Sequence, residues 1–514
     1  MTELPQNDEW GGFGRPLFED AAAMGLGRVG VIDVGSNSVR LVVFDGAART
    51  PAYFYNEKIM CALGAGLSET GHLSPEGRKR AVSAVRRFAA LADGMGIAPL
   101  TAVATAAVRE ASDGQAFCRE VLAQTGVRVW VIDGQEEARL SAQGVLLGWP
   151  GSYGLVCDIG GSSMELADIQ DGVVGHRLTS ALGPLKLREI KGGPKAVKAY
   201  VKDTVSDLHQ QMRREVGMRL FLVGGSWRAI ARIDMERRGY PLRVLHEYRM
   251  TADDISTTAQ YLEEVDHNAL RKTCGISDSR MSLVPQAIVV LKTLLKSFKP
   301  KDITVSSYGI REGMLYEQMP QELRDRDPLI EAARFIEDKD ARLPGFGKVL
   351  YDFVRPLFPS ADWQEKRIIK AACLLHDISW RAHPDFRGEV TFDFATRAHL
   401  GGLKHSERIF LGLALLHRYT KRRSTRFDAE MTLINADKIK QAEVLGRAMR
   451  LGAMLWVNAD QAPGRISWDP SEQALELTLT DKARPLFGEV AEARLAALTS
   501  ALGATCDVRF EQDR

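Results

Sequence analysis

Through about the first three fifths of the chain, short apolar runs alternate with amphipathic stretches. In residues 29–45 the β-branched pair Val31–Ile32 leads to Asp33 and a Gly-Ser-Asn-Ser turn, and apolar residues resume from Val39 to Phe44. That order predicts two strands joined by a polar turn. SPEGRKRAVSAVRRFAALADGMG (74–96) predicts a helix, with a Ser cap, Pro in the first turn and Gly at the end. LTAVATAAV (100–108) reads as a strand running into Arg109, and VRVWVID (127–133) as another. GQEEARLSAQGVLLG (134–148) follows as a helix with acids in its first turn. The β-rich opening recurs from residue 154. Helical 195–216, a strand at 218–226, a helix from Trp227, a helix over 283–298 and a strand–turn–helix start over 302–315 complete the series. Such alternation predicts two α/β domains, 28–149 and 150–318. Residues 327–450 are mostly helical in pattern. Residues 464–480 read as a hairpin before a final helix, which makes 451–514 a small α+β domain. Residues 1–27 read as a loose arm without the basic-then-apolar order of a signal peptide.

The opening motif is repeated. VIDVGSNSVRL (31–41) and GLVCDIGGSSMEL (154–166) share an Asp-x-Gly-x-x-Ser order at a constant offset. Asp33, Gly35, Ser38 and Leu41 match Asp158, Gly160, Ser163 and Leu166. A repeat at domain scale suggests two related domains facing one anion. Gly35, Ser36, Asn37 and Ser38 on one side, and Gly160, Gly161, Ser162 and Ser163 on the other, offer backbone N–H groups and hydroxyls to phosphate oxygens. Asp33 and Asp158, at strand ends, can hold a divalent cation directly or through water, with Glu165 a further acid on that side.

Bulk properties narrow the field. A chain of 514 residues holds about three or four domains. The formal net charge is +2, so no global field selects nucleic acid or a membrane, and any polyanion site is local. Six scattered cysteines without a C-x-x-C pair point to a reducing cytoplasm. No run of 18 apolar residues appears, so no membrane span is expected. GLGRVG (25–30) precedes its strand, whereas a dinucleotide fingerprint follows one, and no P-loop occurs.

Water attack on a phosphoanhydride requires cradled phosphates, neutralised charge and a carboxylate that orients or deprotonates water. The glycine turns supply the cradle. Arg109, after a strand, suits bidentate phosphate contact. Glu136 and Glu137 are both candidate bases, and periodicity does not separate them. GGSWRAI (224–230) and YGIREG (308–313) are further glycine turns able to close a cleft. Two basic runs offer walls for a long polyanion: 186–202, and HRYTKRRSTR (417–426) with Lys421, Arg422, Arg423 and Arg426.

Together, VIDVGSNSVRLVVFD, ATAAVREA, VIDGQEEARL, LVCDIGGSSMELA, LGPLKL, LVGGSWRAIA and SSYGIREGML resemble the exopolyphosphatase/guanosine pentaphosphate phosphohydrolase family, of the actin-like, sugar-kinase-like superfamily. The resemblance implies an α/β fold of two actin-like (ribonuclease H-like) domains flanking a cleft, then a helical module and the α+β tail. It implies that Glu137 orients the attacking water, that Arg109 and the glycine turns bind terminal phosphates, and that Asp158 and Glu165 serve the metal side. Lys186 stands where the LG-x-x-[RK] segment carries a base. Longer members have a helical module similar to HD-type phosphohydrolases. LLHDISW (374–380), with His399, His405 and His417, fits it, but no His lies between His267 and His376, so the ligand set is one short. His376 and Asp377 are therefore expected to be satisfied polar residues of a helical core. The expectation is a cytoplasmic, Mg²⁺-dependent exopolyphosphatase, with a monovalent cation as a further candidate and a homodimer as its assembly. The rivals are a pppGpp phosphohydrolase, a kinase of the superfamily and a non-catalytic polyphosphate or alarmone sensor.

Overall fold

A computed structural model describes residues 28–45, 49–50, 52–97, 100–212, 217–421, 425–455 and 464–511. Contacts divide the chain at Arg326/Asp327 into an N-terminal and a C-terminal unit.

The N-terminal unit is built on two sheets. The first has the order β3-β2-β1-β4-β5, from β1 (Val29–Val34), β2 (Ser38–Phe44), β3 (Tyr53–Met60), β4 (Leu100–Ala104) and β5 (Val129–Val131). β1 to β3 form an antiparallel meander, and β4 and β5 extend the sheet in parallel beyond β1. The second contains β6 (Gly154–Ile159), β7 (Met164–Gln170), β8 (Val173–Ser180), β9 (Arg219–Val223), β10 (Tyr248–Met250) and β11 (Asp302–Val305), in the order β10-β11-β9-β6-β7-β8. Strands β8, β7, β6, β9 and β11 reproduce the first sheet's order and directions, with β10 added at the edge. The sequence repeat is thus a repeat of whole sheets. Each has its own core, with Ile32, Leu41, Val85 and Phe88 in the first and Leu155, Leu166, Leu222 and Trp227 in the second.

Helices that bear on the site and its supporting cores include α1 (Pro75–Gly94), α2 (Ala106–Glu110), α3 (Gly114–Thr125), α4 (Gly134–Gly148), α5 (Gly193–Met212), α6 (Gly225–Arg237), α7 (Val284–Phe298) and α8 (Ile310–Glu317). The Ser74 hydroxyl accepts from Gly77 N at 3.1 Å and starts α1 as its cap. The strand expected over 100–108 stops at Ala104. Thr105 donates its N–H to Val34 O at 3.2 Å, and the next residues turn into α2, so Arg109 sits on a one-turn helix rather than at a strand end. A boundary at 149/150 also fails to describe α4, which rests on β6, β7 and β8 of the second sheet. In exchange α8, from the end of the second half, touches β1. The segment 278–298 is long and apolar enough to cross a bilayer, yet Val290, Leu291 and Leu294 of α7 are fully buried in the second core.

The C-terminal unit contains α9 (Pro328–Asp340), α10 (Phe346–Val354), α11 (Trp363–Leu374), α12 (Arg387–Arg397), α13 (His405–Tyr419) and α14 (Ala436–Leu455), then β12 (Gly464–Asp469), β13 (Ala474–Thr480), α15 (Glu489–Leu502) and β14 (Thr505–Glu511). α14 runs across the boundary expected at 450/451, and the tail packs in one unit with the helices. The hairpin β12–β13 forms as expected. β14, which the sequence pattern did not show, pairs parallel with β13. Its side chains are mostly exposed, so it carries no apolar alternation to read.

Asp377 is clamped by Arg342, which donates Nε–H at 2.8 Å, a terminal N–H at 2.6 Å and its backbone N–H at 3.2 Å. His376 Nδ1 lies 2.9 Å from Cys373 O, and its ring meets Phe346 edge-on. Both residues are polar groups satisfied within the helical core. Among the described residues no three His, Cys, Asp or Glu side chains are grouped to hold a metal ion.

Candidate active site

The two repeated turns have the same local geometry: Gly35 N donates to Ser38 O at 3.0 Å, and Gly160 N donates to Ser163 O at 3.0 Å. They face each other across a cavity of about 390 Å³, and the Ser162 and Ser36 hydroxyls meet at 3.4 Å. All eight residues of the turns line this cavity, together with Asp33, Asp158 and Glu137.

Glu137 and its neighbour have different fates. The Asp133 carboxylate caps α4 by accepting from Glu136 N at 2.7 Å. Glu136 is then held by Arg139 through two bonds of 2.8 and 2.6 Å, and Arg139 also pairs with Glu317 at 2.6 Å. Glu137 instead turns into the cavity wall. Burial, followed by repulsion from Asp158, pushes its carboxyl up to about 8, and Arg109 opposes the shift. One turn on, the Ser141 hydroxyl donates to Asp158 Oδ2, which fixes that carboxylate against the same face of α4. A carboxylate with this elevated affinity for a proton has the character of a general base.

Arg109 does not line the cavity. It stands behind Glu137, donating to Ile132 O at 2.9 Å and to Glu137 Oε2 at 3.3 Å. It orients the carboxylate. Lys186 is likewise outside the lining, with its Nζ 3.1 Å from Ser68 Oγ and 3.8 Å from Glu110.

Glu165 faces Asp158 across the β6–β7 pairing and is 1% exposed. Burial, Glu137 and Asp158 all raise its pKa, and Thr179 Oγ1 donates to its Oε1 at 3.2 Å. Its Oε2 is buried without a partner among the described residues. Asp33 and Asp158 are raised chiefly by burial. Crowded carboxylates of this kind suit a divalent cation. They do not form a three-ligand cage, and Glu165 stands behind the cavity rather than on it. Of these, Asp33 and Asp158, which line the cavity, are the residues that would hold a divalent cation.

The basic residues that line the cavity were not singled out by sequence reading. They are Lys58 on β3, Arg228 on α6, Arg280 on the short helix Asp278–Met281, and Arg311 on α8. Burial lowers Arg228, and then Arg311 lowers it further. Lys58 is lowered by burial and then by Arg280 and Arg40. Cations that repel one another in a half-closed cavity await an anion. Arg311 Nε is buried with no partner among the described residues. Arg228 and Arg311 lay within the two extra glycine turns, where their fixed place after the glycines was the available signal. Gly224, at φ 110°, is where α6 begins, and a Cβ there would press on Ile159 O at 2.5 Å.

Residues 42–322 match the Ppx/GppA phosphatase family, and residues 330–508 match the exopolyphosphatase C-terminal region. The chain belongs to the Ppx/GppA phosphatase family. Its fold is shared with a Cytophaga hutchinsonii exopolyphosphatase of known structure, with a TM-score of 0.51 and 24% identity over 58% of this chain and 99% of that one. An Aquifex aeolicus Ppx/GppA structure gives a TM-score of 0.50 at 22% identity, covering 57% and 97%. Among relatives, Exopolyphosphatase 1 of Mycobacterium leprae is 26% identical over 57% of this chain and 90% of its own length. The yeast Retrograde regulation protein 2 (Saccharomyces cerevisiae) is 25% identical over 85% of this chain and 81% of its own. These relatives thus include a protein named as an enzyme and one named as a regulator.

Proposed function

We propose that the protein is an Mg²⁺-dependent exopolyphosphatase that releases terminal phosphate from inorganic polyphosphate. The observation that carries this reading is the lining of the cavity. Two glycine turns and four basic side chains surround the space, the raised carboxyls of Asp33, Asp158 and Glu137 line it, and among the described residues no aromatic side chain does. A nucleobase is usually gripped by stacking, and this lining offers no ring, whereas a chain of phosphates needs donors and cations alone.

In this reading the terminal phosphate lies between Gly35–Ser38 and Gly160–Ser163. Arg228, Arg280 and Lys58 hold the phosphates behind it, and Glu137 accepts a proton from the attacking water. The bond from water oxygen to phosphorus forms as the bridging P–O bond breaks, and the shortened chain leaves with the electron pair. Mg²⁺ on Asp33 and Asp158 would supply charge neutralisation at the phosphate oxygens.

The test is phosphate release with Mg²⁺ from long-chain polyphosphate, pppGpp and ATP, by the parent and by Glu137→Ala. Release from polyphosphate that falls about 10²-fold or more in the variant is expected. Near-normal turnover in a folded variant removes Glu137 from its role. Release mainly from pppGpp moves the function to alarmone turnover. The long match to a protein named as a regulator favours a second reading, a phosphate-chain sensor. Tight binding of polyphosphate with negligible release from any substrate is its signature.

A further inference from the structure

Arginines in the C-terminal unit are, as a rule, matched. Arg367 pairs with Asp327, Arg342 with Asp377, and Arg426 with Glu389 and Asp393, while Arg408 donates to the carbonyls of Ala398 and Leu400. Three others are not. Arg418 at the end of α13, Arg450 on α14 and Arg494 on α15 make no ion pair and no side-chain hydrogen bond among the described residues. The Nε atoms of Arg418 and Arg494 are buried without a partner.

Packing brings these three together. A Cβ on Gly446 would press on Ala414 O and His417 Cβ at 2.5 Å, so α14 closes directly on the end of α13. Arg418 follows His417, and Arg450 lies one helical turn beyond Gly446. Arg447 of α14 donates to Ala497 O of α15 at 2.6 Å, which sets Arg494, one turn earlier on α15, toward the same place. Arg450 is lowered to about 10 by burial and by Arg494, Arg418 and Arg447, with no acid acting on it. The acids nearby are engaged: Glu443 by Arg447, and Asp377, which faces Arg418, by Arg342. Unpaired guanidiniums gathered from three helices oppose folding unless an anion joins them.

We propose that Arg418, Arg450 and Arg494 form an oxyanion site in the C-terminal unit that takes a phosphate group. It lies on residues separate from the 390 Å³ cavity and does not depend on the hydrolytic reading. Free phosphate, a nucleotide and a short phosphate chain all present this chemistry.

The test uses the full-length chain and a double variant, Arg450→Gln with Arg494→Gln. Calorimetric titration with tripolyphosphate is expected to show two classes of site in the parent and one in the double variant. Arg228→Gln should lose the other class. The ligand-free double variant should melt no lower than the parent, because its repulsion is relieved, and tripolyphosphate should raise its melting temperature less. An unchanged number of sites overturns the proposal. A double variant that melts earlier and gains as much from tripolyphosphate also overturns it, since the arginines would then be structural. Parallel titrations with inorganic phosphate and pppGpp identify which source of phosphate binds at least tenfold more tightly.

Discussion

Glu136 and Glu137 occupy adjacent positions in the first turn of one helix, and their separation is geometric. Arg139 holds Glu136, whereas Glu137 faces Asp158 and Arg109. Its raised pKa has a kinetic consequence. As the proposed base, Glu137 would have to be ionised to act, so kcat/KM is expected to rise as pH rises through about 8. Arg109 opposes that shift, so Arg109→Gln should carry the rising limb to higher pH as well as lowering its plateau. A pH profile of both proteins checks this, and a limb that stays in place excludes Arg109 as the residue that tunes Glu137. The repeat sharpens the contrast between the halves. The 125-residue offset that relates Asp33 to Asp158 also relates Arg40 to Glu165, and each pair sits in register across its strands. One half therefore sets a cation beside its aspartate, and the other sets an acid.

At the level of elements, α4 and α8 decide whether those residues meet. A Cβ on Gly313 would collide with Leu140 O, and one on Gly144 would collide with Gly309 O. The helices approach backbone to backbone, which sets Glu137 on α4 and Arg311 on α8 around one cavity. Gly313→Ala should therefore destabilise the protein by about 1–3 kcal/mol and lower turnover without touching substrate. Denaturant melts and kcat of the variant test this, and wild-type values for both would show that the interface yields easily. The strand–turn–strand of each motif was readable because apolar runs flank a polar turn. The helix at Ala106–Glu110 was not, because Ala-Ala-Val suits either element and the bond from Thr105 to Val34 O decides the matter. β14 escaped because an exposed strand leaves no periodic trace.

For the whole molecule, the basic tail run has a divided fate. Arg426 bonds Glu389 and Asp393 at 2.8 Å each, so its charge serves α12 rather than a polyanion path; Arg422 and Arg423 lie outside the described residues, and Lys421 is exposed. The C-terminal unit also has an acid weakness. Burial pushes His376 down to about 3, while the unfolded chain takes up that proton below about 6.5. The unfolded state then binds more protons, so stability is lost as pH falls from about 6.5 toward 3. Asp377, lowered by its bonds to Arg342, loses its contribution at the acid end of the same range. Melting temperatures measured from neutral pH down to about pH 4 should fall less for His376→Asn than for the parent, and parallel curves would refute the linkage.

Local order was legible in the chain because it depends on neighbours a few residues apart: strand periods, caps, the Asp-x-Gly-x-x-Ser turn and its repetition. From these followed two matched halves, a candidate phosphate cradle and two candidate bases. Which charges keep company was not legible, since Glu137, Asp158, Arg228, Arg280 and Arg311 are joined only by packing between distant segments. Burial then sets their proton affinities, and burial belongs to the folded molecule alone.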